Sequence, residues 1–178
     1  MILLINICKE KLHYYEFVRP IEDVLKMNKI DFFTLNYNEI LQGDLDKAEK
    51  IIICGTSLKD NGFIENIDNF RWIRDFSKPI LGICGGMQII GLTFSGKIKK
   101  KTEVGFFIEK FSNFLGLNGE KEVYHLHNNY ISLPENFEQF SSSDISQAIK
   151  HKTKDIYGVL FHPEVRQKDL IIRFCELI

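Results

Sequence analysis

Pro79-Ile80-Leu81-Gly82-Ile83-Cys84-Gly85-Gly86-Met87-Gln88 is the stretch whose reading decides the fold. Its apolar lead-in reads as a short buried strand, and Met87 to Leu92 read as the first turns of a buried helix. Cys84 therefore sits at a sharp strand-to-helix turn. Gly82 and Gly86 stand two residues to either side of it, giving G-x-C-x-G, the thiol counterpart of the G-x-S-x-G nucleophile elbow. Such a turn needs residues without bulk where the backbone crowds. The following helix aims its free N–H groups at the sulfur, which favours a thiolate and a developing oxyanion. Two other readings stay open on this stretch alone. Cysteine is among the most buried residue types, and glycine-rich strand-to-helix turns also cradle phosphates.

Working outward, Ile2 to Ile7, Asp31 to Leu35 and Ile51 to Cys54 read as further strands, the first and third strongly buried. Tyr14, Phe17, Val18, Ile21, Val24 and Leu25 recur at helical spacing, with Pro20 either kinking that helix or starting its main part. Asn38 to Leu41 reads as a helical turn, and Asn61 to Ser77 as helix or irregular helix. This alternation predicts an α/β fold with a mostly parallel central sheet and helices on both faces. After Leu92 short β-like runs take over: Ser95–Lys99, Val104–Lys110, Lys121–His125, Tyr130–Leu133, Ile145–His151 and Tyr157–Phe161. Turn residues including Gly105, Gly116 and Asn118-Gly119 separate them. They predict an antiparallel or mixed β extension of the same sheet, closed by a helix over Lys168 to Leu177. With no linker or repeat, residues 1–178 are expected to form one domain.

Composition narrows the function classes. The 178 residues are 44% hydrophobic and 26% charged, and the formal net charge is −1, which gives no bulk attraction to nucleic acid or membrane. Cys8, Cys54, Cys84 and Cys175 form no C-x-x-C pair, so their spacing indicates neither a zinc site nor a disulfide scaffold; it fits a reducing cytoplasm. The apolar start, Met1 to Ile7, is too short to span a membrane and lacks a signal-peptide pattern.

A cysteine nucleophile needs a base, generally a histidine with an orienting partner. His13 and His151 lie in polar surroundings and are expected at the surface. His125 and His127 share the run Val123 to Tyr130. His162 is best placed: it follows an apolar strand, Pro163 fixes the backbone beyond it, and Glu164 is close enough to return to its ring. The strands before Gly55, Cys84 and His162 could all end on the carboxyl edge of the sheet, where functional groups collect. A strand-end histidine held by a neighbouring carboxylate is the purely structural alternative.

Gly82-Ile83-Cys84-Gly85-Gly86-Met87-Gln88 and Phe161-His162-Pro163-Glu164 together resemble the two signature blocks of the class I, triad-type glutamine amidotransferases. Weaker blocks extend the likeness over most of the chain: Ser95-Gly96-Lys97-Ile98, Glu103-Val104-Gly105, and the loop from His127 to Ile131 before Leu133-Pro134. The resemblance implies hydrolysis of the glutamine side-chain amide, without a cofactor or metal. Cys84 would attack as thiolate, His162 would move the protons, and Glu164 would orient His162, passing through a glutamyl thioester. Backbone N–H groups of Gly85 and Thr56 would hold the oxyanion. Gly55, Gln88 and the segment His127, Asn128 and Asn129 would meet the substrate glutamine.

Two departures stand out. Thr56-Ser57 replaces the glycine and proline common in that loop, and Asn128-Asn129 follows the histidine where relatives often carry an acid. The chain has no room for a synthase domain after F-H-P-E, so the ammonia is expected to go to a separate synthase subunit. A stand-alone γ-glutamyl amide hydrolase, and a non-catalytic regulatory relative, remain the alternatives. The run Lys97 to Lys101 reads as a solvated hairpin edge or as a docking patch for an acidic partner. Phe106 and Phe107 could mark a partner face if exposed.

Overall fold

Strand formation follows the runs of β-branched and apolar residues. The structure, a computed structural model, describes residues 1–177. A seven-stranded sheet is built from β1 (Ile2–Asn6), β2 (Phe32–Asn36), β3 (Lys50–Ile53), β4 (Ile80–Ile83), β7 (Phe137–Gln139), β8 (Ala148–His151) and β9 (Ile156–Val159). Its order is β2-β1-β3-β4-β9-β8-β7. The first five strands in that order are parallel, and β8 and β7 extend the sheet antiparallel. The period-2 geometry of a strand sorts side chains to opposite faces. Leu4, Ile52 and Leu81 point to one face, where α1 (Lys11–Phe17), α2 (Arg19–Met27) and α6 (Asp169–Cys175) contribute Phe17, Ile21, Leu25, Leu170 and Phe174. Leu3, Ile5, Ile51 and Ile53 point to the other, against Phe63 of α4 (Gly62–Glu65), Phe70 and Ile73 of a 3₁₀ helix (Ile67–Arg74), and Ile89 and Ile90 of α5 (Gly85–Thr93).

Helix starts explain the departures from expectation. The periodic segment Tyr14 to Asn28 is two helices, with Pro20 in the first turn of α2, where its missing N–H leaves no bond unmade. The turn expected at Asn38 to Leu41 is instead a run-up to α3 (Gln42–Lys47), whose Asp44 carboxylate accepts from Leu41 N–H at 3.0 Å. Only Leu45 of that helix is buried, so its sequence carries almost no periodic signal. Among the described residues, no helix is long and apolar enough to cross a membrane.

The second half also differs in detail. Four of the expected short runs are two long strands, β5 (Ile98–Phe114) and β6 (Leu117–Ile131), which pair as a separate two-stranded ribbon rather than within the main sheet. Their turn is Leu115-Gly116, both with positive φ, while Asn118-Gly119 lies inside β6. Gly105 interrupts the β pattern in sequence without ending the strand. His151, expected at the surface, is buried; its Nδ1 accepts from Thr153 and Lys154 N–H at 3.2 Å each and so closes the β8–β9 turn.

The elbow locks β4 and α5 onto β3. A Cβ at Gly86 would lie 2.2 Å from the Ile53 carbonyl oxygen, and one at Gly82 would lie 2.5 Å from the Gly86 backbone. Both contacts are with backbone, which cannot swing aside. Gly86→Ala should therefore lose at least about 1–3 kcal/mol in urea unfolding. Gly43→Ala, in α3 with nothing within 4 Å of the added methyl, should instead gain roughly 0.5–1 kcal/mol in the same measurement.

Candidate active site

Because β3, β4 and β9 are adjacent and parallel, the segments that follow them emerge on one edge. Gly55, Cys84 and His162 come from those three segments and meet there. Cys84 has φ 50° and ψ −103°, a conformation L-residues avoid, and it is held by its N–H donating to Val159 O at 2.7 Å and its carbonyl accepting from Gln88 N–H at 3.1 Å. Gly55 is the contact between the other two: a Cβ there would fall 2.8 Å from His162 Cε1 and 3.4 Å from Cys84 Cβ. A side chain at this position would push ring and thiol apart.

His162 and Glu164 are both about 1% exposed, and the Nδ1–H donates to Glu164 Oε1 at 2.6 Å. Burial works against a charged ring, but the charge of Glu164, then that of Cys84, outweighs it, and the His162 pKa lies well above its ordinary value. Nε2 is buried and makes no well-directed hydrogen bond among the described residues. The thiol lies on the other side of Gly55 from the ring, and its Sγ–H is turned to Leu126 O at 3.5 Å. Such slack is common where no substrate is bound.

Thr56, Cys84, Gly85, Gln88, Leu126, His127, Asn128 and Asn129 line one cleft, with Phe63 at its side. The backbone N–H groups of Thr56 and Gly85 donate to no acceptor among the described residues. Gln88 is buried; its Nε2 donates to Asn129 O at 3.2 Å and its Oε1 has no partner among the described residues. The Asn128 amide donates to Leu58 O at 3.2 Å and that of Asn129 to Asn61 Oδ1 at 3.3 Å, so the end of β6 is laid across the cleft. His127 lines the cleft but turns Nδ1 toward Lys101 O at 3.2 Å, and burial pushes its pKa down to about 4.

Three arrangements here carry no signal in the sequence. Asp60 accepts from Thr56 Oγ1 at 2.7 Å and from Lys9 N–H at 2.8 Å, and so shapes the loop after β3. Leu126 contributes through its carbonyl, which any residue has. Glu103 lies 3.0 Å from His125 and 3.2 Å from His127, a meeting made only by the pairing of β5 with β6.

Residues 14–173 match the family described as glutamine amidotransferase class-I. The chain is 34% identical over 161 residues to the glutamine-hydrolyzing GMP synthase subunit of Methanosarcina barkeri, covering 75% of this chain and 85% of that protein. It is 33% identical over 138 residues to the protein of the same name from Thermoplasma acidophilum, covering 72% and 69%. The crystal structure of a putative GMP synthase subunit from that organism superposes with a TM-score of 0.85 at 27% identity, covering 97% of this chain and 90% of that one.

The ring charge gives a pH test. Glu164→Gln removes the largest influence raising the His162 pKa, so the imidazolium is lost at lower pH. The alkaline limb of the rate profile for amide hydrolysis should move to lower pH, and kcat should fall on the order of 10²–10⁴-fold. An unmoved limb would show that Glu164 does not hold the ring's charge.

Proposed function

The chain belongs to the class I glutamine amidotransferase family, and from that premise we propose that it is the glutamine-hydrolysing subunit of a two-subunit GMP synthase, with Cys84, His162 and Glu164 as its catalytic triad. The observation that carries the reading is the convergence of a strained cysteine and a carboxylate-held, buried histidine across Gly55.

His162 Nε2 takes the thiol proton before the attack, and the resulting thiolate Sγ adds to the amide carbon of glutamine. The tetrahedral intermediate places its oxygen between the N–H of Gly85, at the start of α5, and that of Thr56, in the loop after β3. A donor of this kind is worth about 2.7–4 kcal/mol in a transition state. His162 then gives its proton to the departing ammonia, leaving a glutamyl thioester, and draws one from the water that opens it. Glu164 keeps Nδ1 protonated throughout, so Nε2 faces the reaction. Gln88, with a free Oε1, and the Asn128-Asn129 segment hold the amino-acid end of the substrate. For substrate to enter, the contact between Cys84 Sγ and Leu126 O has to break.

The likeness to the GMP synthase subunits supports GMP synthase as the ammonia acceptor. A partner face is available on the ribbon, where Val104, Phe106 and Ile108 are 53%, 56% and 65% exposed along one side of β5. The lysines at 99–101 are exposed on the same strand, and Lys101 is paired with Glu103 at 3.0 Å. The four free thiols suit a reducing compartment.

Mixing the chain with a GMP synthase catalytic subunit should allow glutamine to replace ammonia in GMP formation. Cys84→Ala should abolish the glutamine-dependent reaction and leave the ammonia-dependent one intact. Equal GMP formation from glutamine by the variant would overturn the triad; ammonia release with no GMP would overturn the partner.

A further inference from the structure

On the ribbon face beside the cleft, Glu103, His125 and His127 converge in a way that the amide hydrolysis does not use. His125 and His127 are two apart on β6 and share a face, and Glu103 stands directly opposite His127 on β5. The histidines are 0% and 2% exposed. Glu103 Oε2 lies 3.0 Å from His125 Nδ1 and 3.2 Å from His127 Nε2, and one donor atom from each residue falls within 4.8 Å of the others. Four-coordinate zinc with bonds of about 2.0–2.1 Å sets its ligand atoms roughly 3.3 Å apart.

The hydrogen positions point to a cation. The carbonyl of Lys101 can only accept, so its contact with His127 Nδ1 at 3.2 Å places the hydrogen on Nδ1. In a neutral ring Nε2 then turns a lone pair toward a carboxylate oxygen, two acceptors face to face. That Nε2 is buried and has no hydrogen-bond partner among the described residues. Beyond hydrogen-bond reach of His125 Nε2, at 3.7 Å, lies Glu109 Oε1, whereas His127 has an outward acceptor, Lys101 O, on its other nitrogen. That is the arrangement by which a second acceptor orients a metal-bound imidazole. Gln147 is fully buried, its amide already 3.2 Å from Glu103 Oε2, and its Oε1 lacks a partner among the described residues; a flip of the amide would present that oxygen to the same point.

We propose that Glu103, His125 and His127 form a binding site for a divalent transition metal, zinc above all, with Gln147 or a water as fourth ligand. Two imidazoles and one carboxylate suit zinc and discriminate against magnesium and calcium, which take oxygen ligands. The metal would tie β5 to β6 where His127 adjoins the carbonyl of Leu126. It would thereby fix the strand segment that lies across the Cys84 cleft. Lys101 keeps the other oxygen of Glu103 and balances its charge.

The test is metal content and Co²⁺ spectroscopy on the whole chain. After loading with Zn²⁺ and dialysis, the wild type should retain one zinc per chain and resist thermal unfolding better than the metal-free form. Co²⁺ should give the intense visible bands of a tetrahedral site. His125→Gln and Glu103→Gln should lose the retained zinc and the bands. Glu109→Gln, which leaves all ligands in place, and Cys84→Ser should both leave the stoichiometry unchanged. Wild-type protein that retains no zinc would overturn the site. So would retention at full strength in both ligand variants, or loss of the metal in Cys84→Ser, which would place it on the thiol instead.

Discussion

The close approach of Gly86 to the Ile53 carbonyl is the constraint on which the rest of the structure depends. It presses the start of α5 onto β3 and leaves Cys84 at φ 50° in the turn between. A residue held there carries on the order of 1–3 kcal/mol of strain. The buried strands β3, β4 and β9 absorb it, since their side chains face apolar layers on both sides of the sheet. The same three strands deliver Gly55, Cys84 and His162 to one edge. The strain of the turn and the assembly of the site therefore have one origin, the parallel order of the sheet.

Electrostatics then separates the histidines. His162 has a carboxylate of its own at 2.6 Å, and the pair is sealed from water, so the charged ring is favoured despite burial. His125 and His127 share Glu103 with each other, with Lys101 and with Gln147. For them burial wins, and both rings are pushed toward the neutral form. One group is thus suited to hold a proton beside a thiolate, and the other to offer lone pairs. The difference is made by how many partners each carboxylate has to satisfy, not by depth of burial.

Much of this was legible in the sequence where the signal is local. The glycines around Cys84 announce the elbow because only a crowded turn needs them, and the F-H-P-E block places Glu164 within reach of its own histidine. The parallel half of the sheet shows in runs such as Ile51-Ile52-Ile53. What was hidden is made by pairing over distance. The ribbon reads as four fragments because residues 100–103 and 126–129 fall outside the β-like runs, yet cross-strand bonding carries β5 and β6 through them. The contribution of Leu126 is a backbone atom. Asp60, the meeting of Glu103 with two histidines and the burial of His151 depend on neighbours that no local pattern specifies.

The central claim is that the strained Cys84 is the nucleophile for a glutamine amide. Incubating the chain with a diazo-ketone analogue of glutamine, and locating the adduct by peptide mass spectrometry, tests it most directly. The account predicts a single adduct, on the Cys84 peptide, whose formation slows when His162 is replaced by alanine and is blocked by excess glutamine. Labelling of Cys8, Cys54 or Cys175 in its place, or glutamine hydrolysis that continues after Cys84 is fully modified, would contradict it.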